Sequence, residues 1–239
     1  MNNLNVKNKK ILAVGAHADD IDFGCAGTFS KWAKEGAEIF YLILTDGSKG
    51  SEDISLKNEE LITMRQEEQK KAAKILGAKY VYFLNEVDGE LINSLALRKE
   101  IVRIIRTVKP DIVISWDPTY VYSKEAGFIN HPDHRAAGQA TLDAVFPYSR
   151  NIRSYPELLD EGLELHKVTE VLLMNRQDAD FFIDISDTMD KKIDALSCHK
   201  SQFEDFDEII KKIKERAENM GKKAKCIYAE GFIRIQINS

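Results

Sequence analysis

The chain has 239 residues, 44% of them hydrophobic and 31% charged, with a formal net charge of −5. That is enough apolar material for one sizeable core, and the sign of the charge argues against a nucleic-acid partner, because phosphate binding needs a basic face. No apolar run approaches bilayer length, the start Met1–Lys10 is polar, and Cys25, Cys198 and Cys226 form neither a Cys-x-x-Cys pair nor an even set, so a cytoplasmic protein without membrane or disulfide framework is expected.

In chain order, the apolar run Ile11–Ala16 reads as a buried strand, and a helix is predicted over Asp22–Lys34. Between them lies the string Ala16-His17-Ala18-Asp19-Asp20. Gly15, Gly24 and Gly27 lack the Gly-x-Gly-x-x-Gly spacing of a dinucleotide site, and two carboxylates just after the strand would repel a pyrophosphate. Ala37–Thr45 is the second strand and closes on Thr45-Asp46-Gly47, where Asp46 is by default a turn residue and otherwise an orienting group near a metal. The helix predicted over Asn58–Leu76 carries Arg65, which either pairs with Glu68 on the same face or reaches a substrate. Tyr80–Leu84 and Ile112–Ser115 are further strands, separated by a helix over Ala96–Thr107. Strands and helices alternate as in a parallel sheet, whose ligands collect at the carboxyl ends of the strands. His17, Asp46, Asp88 and Asp117 all follow strands closely.

A second string, His131-Pro132-Asp133-His134, opens the next helix, predicted to about Val145. Pro132 suits the first helical position, which makes His131 the cap. Phe146–Thr169 has two prolines and no clean period, and reads as a long surface excursion of the kind that forms lids or contact surfaces. Val168–Met174 and Phe181–Ile185 resemble strands, Ser186 or Asp187 can cap a helix running to about His199, and Phe206–Glu218 suggests another helix. The lysine-rich stretches Lys7–Lys10 and Lys211–Lys225 read as solvated surface. The whole, residues 1–239, is expected to be a single α/β domain with a Rossmann-like, mostly parallel sheet flanked by helices.

The chemistry lies in the two strings. A catalytic zinc takes three nitrogen or oxygen ligands and leaves a fourth position for water. His17 and Asp20, three apart across a tight turn, meet that demand with His134 as the third ligand. Asp19 is then left beside the metal, free to take a proton from water, and is the candidate general base. His131 and His134 share one side of the first helical turn, so one can bind metal while the other faces substrate. Either string alone reads more readily as a helix cap or a solvated turn; both together, each at a strand-to-helix junction, point to a metal hydrolase. Zinc, iron and cobalt share such ligands.

These residues resemble the LmbE-like or PIG-L-like N-acetylglucosaminyl deacetylases, whose members carry Ala-His-Pro-Asp-Asp after the first strand and His-Pro-Asp-His downstream. The likeness extends through Thr45-Asp46-Gly47, Arg65, Glu68, Leu76-Gly77, Asp88-Gly89, Lys192–Gln202 and Tyr228–Phe232. It is strongest in wording to the diacetylchitobiose deacetylase branch, with the glucosaminyl-malate deacetylases of thiol biosynthesis next. Ala18 stands where that family has proline, and Ile21 where many members have glutamate. The resemblance implies one Zn2+ held by His17, Asp20 and His134, with Asp19 as base. His131 would steady the tetrahedral intermediate and help protonate the leaving amine, and Asp133 would orient His131. It implies hydrolysis of the N-acetyl group of an amino sugar such as a short chito-oligosaccharide, with release of acetate; a glucosaminyl-malate-type activity and a non-catalytic sugar-binding relative are the alternatives. Arg65 and Asp46 are candidate substrate contacts, and Trp116 could stack on a sugar ring, although a large aromatic at a strand end is more often packed. The expected partner is a small amino sugar, with a second copy of the chain possible.

Overall fold

The computed structural model describes residues 4–125, 127–175, 177–203 and 205–237. The first three residues of the predicted polar start lie outside the described residues. In order, the elements are β1 (Lys10–Gly15), α1 (Asp20–Lys34), β2 (Glu38–Thr45), α2 (Asn58–Ile75), β3 (Tyr80–Glu86), α3 (Leu95–Val108) and β4 (Ile112–Trp116). A two-residue hairpin, β5 (Tyr122–Ser123) and β6 (Phe128–Ile129), leads to α4 (Pro132–Asp143) and the single turn α5 (Glu157–Asp160). The rest comprises β7 (Glu170–Met174), β8 (Phe181–Asp184), α6 (Met189–Leu196), α7 (Phe206–Ala224) and β9 (Ala229–Gln236).

Seven strands form one sheet in the order β3-β2-β1-β4-β7-β9-β8. The first five pair in parallel, whereas β9 runs antiparallel to both β7 and β8. Central strands are apolar on both faces because helices cover both. Ile11 and Ala13 of β1 point into a core with Phe29 and Trp32 of α1 and Leu196 of α6, while Leu12 and Val14 point into another with Ile101 and Ile105 of α3 and Ala137 of α4. The strand order reverses between β1 and β4, and at the carboxyl ends of an open α/β sheet this switch leaves a crevice. His17 follows β1 and the His131–His134 string follows β4, so the topology delivers both strings to that crevice. Gly138 lets α4 come close: a Cβ there would stand 2.2 Å from the Trp116 carbonyl oxygen.

The sheet is mostly parallel, as expected, and the structure adds to that expectation at three places. β9, which the apolar pattern does not mark, brings antiparallel pairing to the carboxyl-terminal edge. α4 stops at Asp143 and passes into a wide turn over Ala144–Tyr148. The stretch after it is pinned down: Arg106 of α3, 1% exposed, donates to the carbonyls of Tyr148, Ser149, Asn151, Ser154 and Tyr155. A guanidinium presents five donors in a fixed fork, and here one side chain organises the loop from within. Among the described residues no helix is long and apolar enough to cross a membrane.

Candidate metal centre

The loop after β1 turns sharply enough that Asp19 takes φ 97° and ψ −32°, a conformation that side chains rarely adopt. This turn places His17 and Asp20 side by side, with His17 Nδ1 3.5 Å from Asp20 Oδ2. From the other side of the crevice His134 brings Nε2 to 3.0 Å from Asp20 Oδ1. One ligand atom from each of the three lies within 4.8 Å of the others.

Hydrogen bonds orient every member of the set. Asp20 Oδ2 accepts from the amides of Ala16 and His17, each at 2.9 Å, and from the Trp116 indole at 3.1 Å, which leaves Oδ1 toward His134. Asn130 donates its amide to the Tyr120 carbonyl, so its oxygen faces His134 Nδ1 at 2.9 Å and takes that proton. His134 Nε2 is thereby the unprotonated nitrogen. His17 Nε2 faces Asp88 Oδ1 at 3.1 Å and Asp133 Oδ2 at 3.3 Å, which holds a proton there and leaves Nδ1 toward Asp20. Carboxylate or carbonyl partners of this kind set the tautomer of metal-binding histidines. Burial alone would lower the pKa of His17, yet its bonds to Asp133, Asp20 and Asp88 push it up to about 12. A cluster that draws positive charge so strongly, with oriented nitrogen and oxygen donors, suits a divalent cation.

A second grouping, His17, Asp88 and His131, also lies within ligand range. His131 is less suited to it. As the cap of α4 it accepts the Asp133 amide on Nδ1 at 3.2 Å, so the neutral ring carries its proton on Nε2 and is a donor there. Its ring stands edge-on to His17 with centroids 4.7 Å apart and is 42% exposed, the most open group of the centre.

Asp133, expected to orient His131, reaches it through the backbone. Its main-chain N–H fixes His131, whereas its carboxylate, 4.0 Å from His131 Nδ1, accepts the amides of Gly89 and Leu91 and faces His17. Trp116 lays one face of its ring flat on His134, centroids 4.2 Å apart and planes 5° apart, its N–H holds Asp20, and the residue also lines a cavity with Phe23, Tyr120 and Met174. Asp46 takes its default place in the turn, accepting the amides of Ser48 and Asp88 on one oxygen. Arg65 does not pair with Glu68, which instead accepts from Ser201. It is buried and donates to the carbonyls of Ala18 and Gly47, 4.0 Å from Asp19 and 3.9 Å from Asp88.

Asp19 carries the one carboxylate of the crevice without a direct hydrogen bond among the described residues. Burial and the neighbouring charge of Asp20 raise its pKa to about 6, against the pull of Arg65. Sequence reasoning places Asp88 at the strand end where ligands collect but gives it no role beside His17, and it does not single out Asn130. Each sits in a string that reads locally as a turn, and only the folded crevice shows which histidine nitrogen it faces.

Residues 12–145 match the family model described as PIG-L: GlcNAc-PI de-N-acetylase. The diacetylchitobiose deacetylase of Thermococcus kodakarensis is 37% identical over 226 residues, covering 94% of this chain and 82% of that protein. A probable N-acetyl-alpha-D-glucosaminyl L-malate deacetylase 2 of Bacillus anthracis is 28% identical over 204 residues, covering 83% and 84%. Among solved structures, the N,N'-diacetylchitobiose deacetylase from Pyrococcus horikoshii, complexed with its inhibitor MPG, superposes with a TM-score of 0.88 at 33% identity, covering 95% of this chain and 84% of that one.

Proposed function

The chain belongs to the PIG-L, or GlcNAc-PI de-N-acetylase, family, and from that premise we propose that it is a zinc-dependent deacetylase that hydrolyses the N-acetyl group of a small amino sugar. The observation that carries the reading is the unbonded Asp19 carboxylate beside three oriented ligand atoms. His17 Nδ1, Asp20 Oδ1 and His134 Nε2 would hold the ion. What it supplies when bound is Lewis acidity, toward the amide carbonyl and toward water.

The chain's own groups do the rest. Asp19, whose carboxylate has no hydrogen bond of its own among the described residues, takes the proton from the attacking water. The His131 Nε2–H, held outward by the Asp133 amide, donates to the oxyanion as the carbonyl carbon becomes tetrahedral. The C–N bond then breaks, and the proton gained by Asp19 leaves with the amine. Arg65, between Asp19 and Asp88, places a fixed positive charge at the wall where the sugar would lie. The similarity to the diacetylchitobiose deacetylases favours a short N-acetylglucosamine oligomer as substrate.

The test is acetate release from N-acetylglucosamine, its β-linked dimer and N-acetylglucosaminyl-malate, with and without a chelator. Activity on the dimer that disappears with chelator and returns with Zn2+ is expected. In Asp19→Asn, metal content should stay at wild-type level while turnover drops by about two to four powers of ten. A variant with near-normal turnover would remove Asp19 from the reaction.

A further inference from the structure

Gln69 takes no part in the chemistry above, yet it is fully buried one helical turn after Arg65 on α2. The two side chains grip opposite sides of one peptide. Arg65 Nη2 donates to the Ala18 carbonyl at 2.9 Å, and Gln69 Oε1 accepts the Asp19 N–H at 3.0 Å. That peptide precedes the residue held at φ 97°, so its plane decides where the Asp19 carboxylate points.

Gln69 cannot swivel. Its Nε2 donates at 2.8 Å to Asp22 Oδ2, and Asp22 is completely buried. The same carboxylate accepts from the Tyr41 hydroxyl at 2.9 Å and lies 2.8 Å from His199 Nε2. These partners fix the orientation of the Gln69 amide with its oxygen toward Asp19. His199 belongs to the Lys192–Gln202 motif, to which the proposed chemistry assigns nothing, and here it gains a place in the structure.

We propose that Gln69, locked by Asp22 and His199, is a positioning residue that sets the Asp19 carboxylate by clamping the Ala18–Asp19 peptide from α2. The inference rests on the reading of Asp19 as the base. It acts on orientation alone, so it predicts a loss in turnover without a loss of metal or of substrate affinity.

The decisive variant is Gln69→Met, which keeps length and volume but has no acceptor for the Asp19 N–H. Turnover should fall about tenfold to a hundredfold, the cost of a misplaced catalytic group. KM should stay within about twofold and Zn2+ stoichiometry should be unchanged, since uniform binding is untouched. In an Asp19→Asn background the same substitution should cost nothing further, because a residue acting only through Asp19 has nothing left to position. A purely structural role would lower stability and leave the turnover of the folded fraction intact. If Gln69→Met does not fold, the cycle is run with Gln69→Asn, which keeps both amide functions but falls short of Asp19, and the same losses are expected. Normal turnover in a folded, metal-replete variant, or an undiminished loss on top of Asp19→Asn, overturns the inference. A crippled Asp19→Asn beside a fully active Gln69→Met sinks this proposal and spares the base assignment; an active Asp19→Asn sinks the base assignment itself.

Discussion

Replacing Trp116 by phenylalanine separates two roles that a tryptophan at this place can have. The indole N–H donates at 3.1 Å to Asp20 Oδ2, one of three donors to that oxygen, and the ring lies against His134. Trp116→Phe removes the hydrogen bond and retains most of the stack. A hydrogen bond to a buried charged group contributes about 1.5–3 kcal/mol, and loss of an orienting partner of a metal ligand typically weakens metal binding about tenfold to a hundredfold. Two amides still hold Asp20, which places the expectation in the lower part of that range. Zn2+ is titrated into chelator-stripped protein against a competing chromogenic chelator, and acetate release is measured at saturating metal. The variant should bind Zn2+ about tenfold more weakly, with KM and saturated turnover close to wild type. Trp116→Leu, which also loses the stack, should be weaker by a further factor of about three to ten. Unchanged Zn2+ affinity with a raised KM would refute the structural argument and return Trp116 to the substrate.

His131→Ala should leave Zn2+ content intact and reduce turnover by about two to three powers of ten, as for removal of an oxyanion donor; a change in metal content without that loss would make His131 a ligand instead. Arg106→Met should lower the denaturant midpoint by the equivalent of about 2–4 kcal/mol and expose residues 148–155 to protease, since five carbonyls lose the guanidinium and only those of Ser149, Asn151 and Tyr155 keep a backbone donor; wild-type protease resistance would contradict this. Burial alone would lower the pKa of His199, but the hydrogen bond and charge of Asp22 outweigh it and the net shift is upward. A raised folded-state value gives stability that is complete below the ordinary 6.5 and lost as the pH climbs through the folded value. Zn2+-loaded protein should therefore melt lower as the pH rises beyond 6.5, and His199→Gln should flatten that slope; identical slopes would show that His199 folds uncharged.

The first four strands were readable because each is a short apolar run between turn residues, and their observed limits differ by no more than two residues from those expected. The two histidine strings were readable because their spacing is dense and their place after strands is unusual. β9 escaped notice because Glu230 and Arg234 interrupt its apolar pattern, and their charges are neutralised far away in sequence, by Lys192 and Glu170. The hairpin of β5 and β6 is too short to have a period. Gln69 reads as one more polar residue on a helix whose sequence is largely charged, and the reason for its burial lies on β2, α1 and the segment after α6. Asp133 shows the finer limit. A local string can say that it accompanies His131, but whether the backbone or the side chain makes the contact depends on where Gly89 and His17 arrive in space.

Lys192 and Glu230 reach into α1 just beyond Asp20. The ammonium donates to the Asp22 and Phe23 carbonyls, and the carboxylate accepts the Gly27 and Thr28 amides. All three residues assigned to the ion have emerged from the ribosome's active centre by position 134, yet the braces on the helix that follows Asp20 come from positions 192, 199 and 230. During synthesis the amino-terminal half would therefore possess a complete set of ligands on an unsteady mount. Only when the late-made strand slots between β7 and β8 does the early-made helix acquire its last supports.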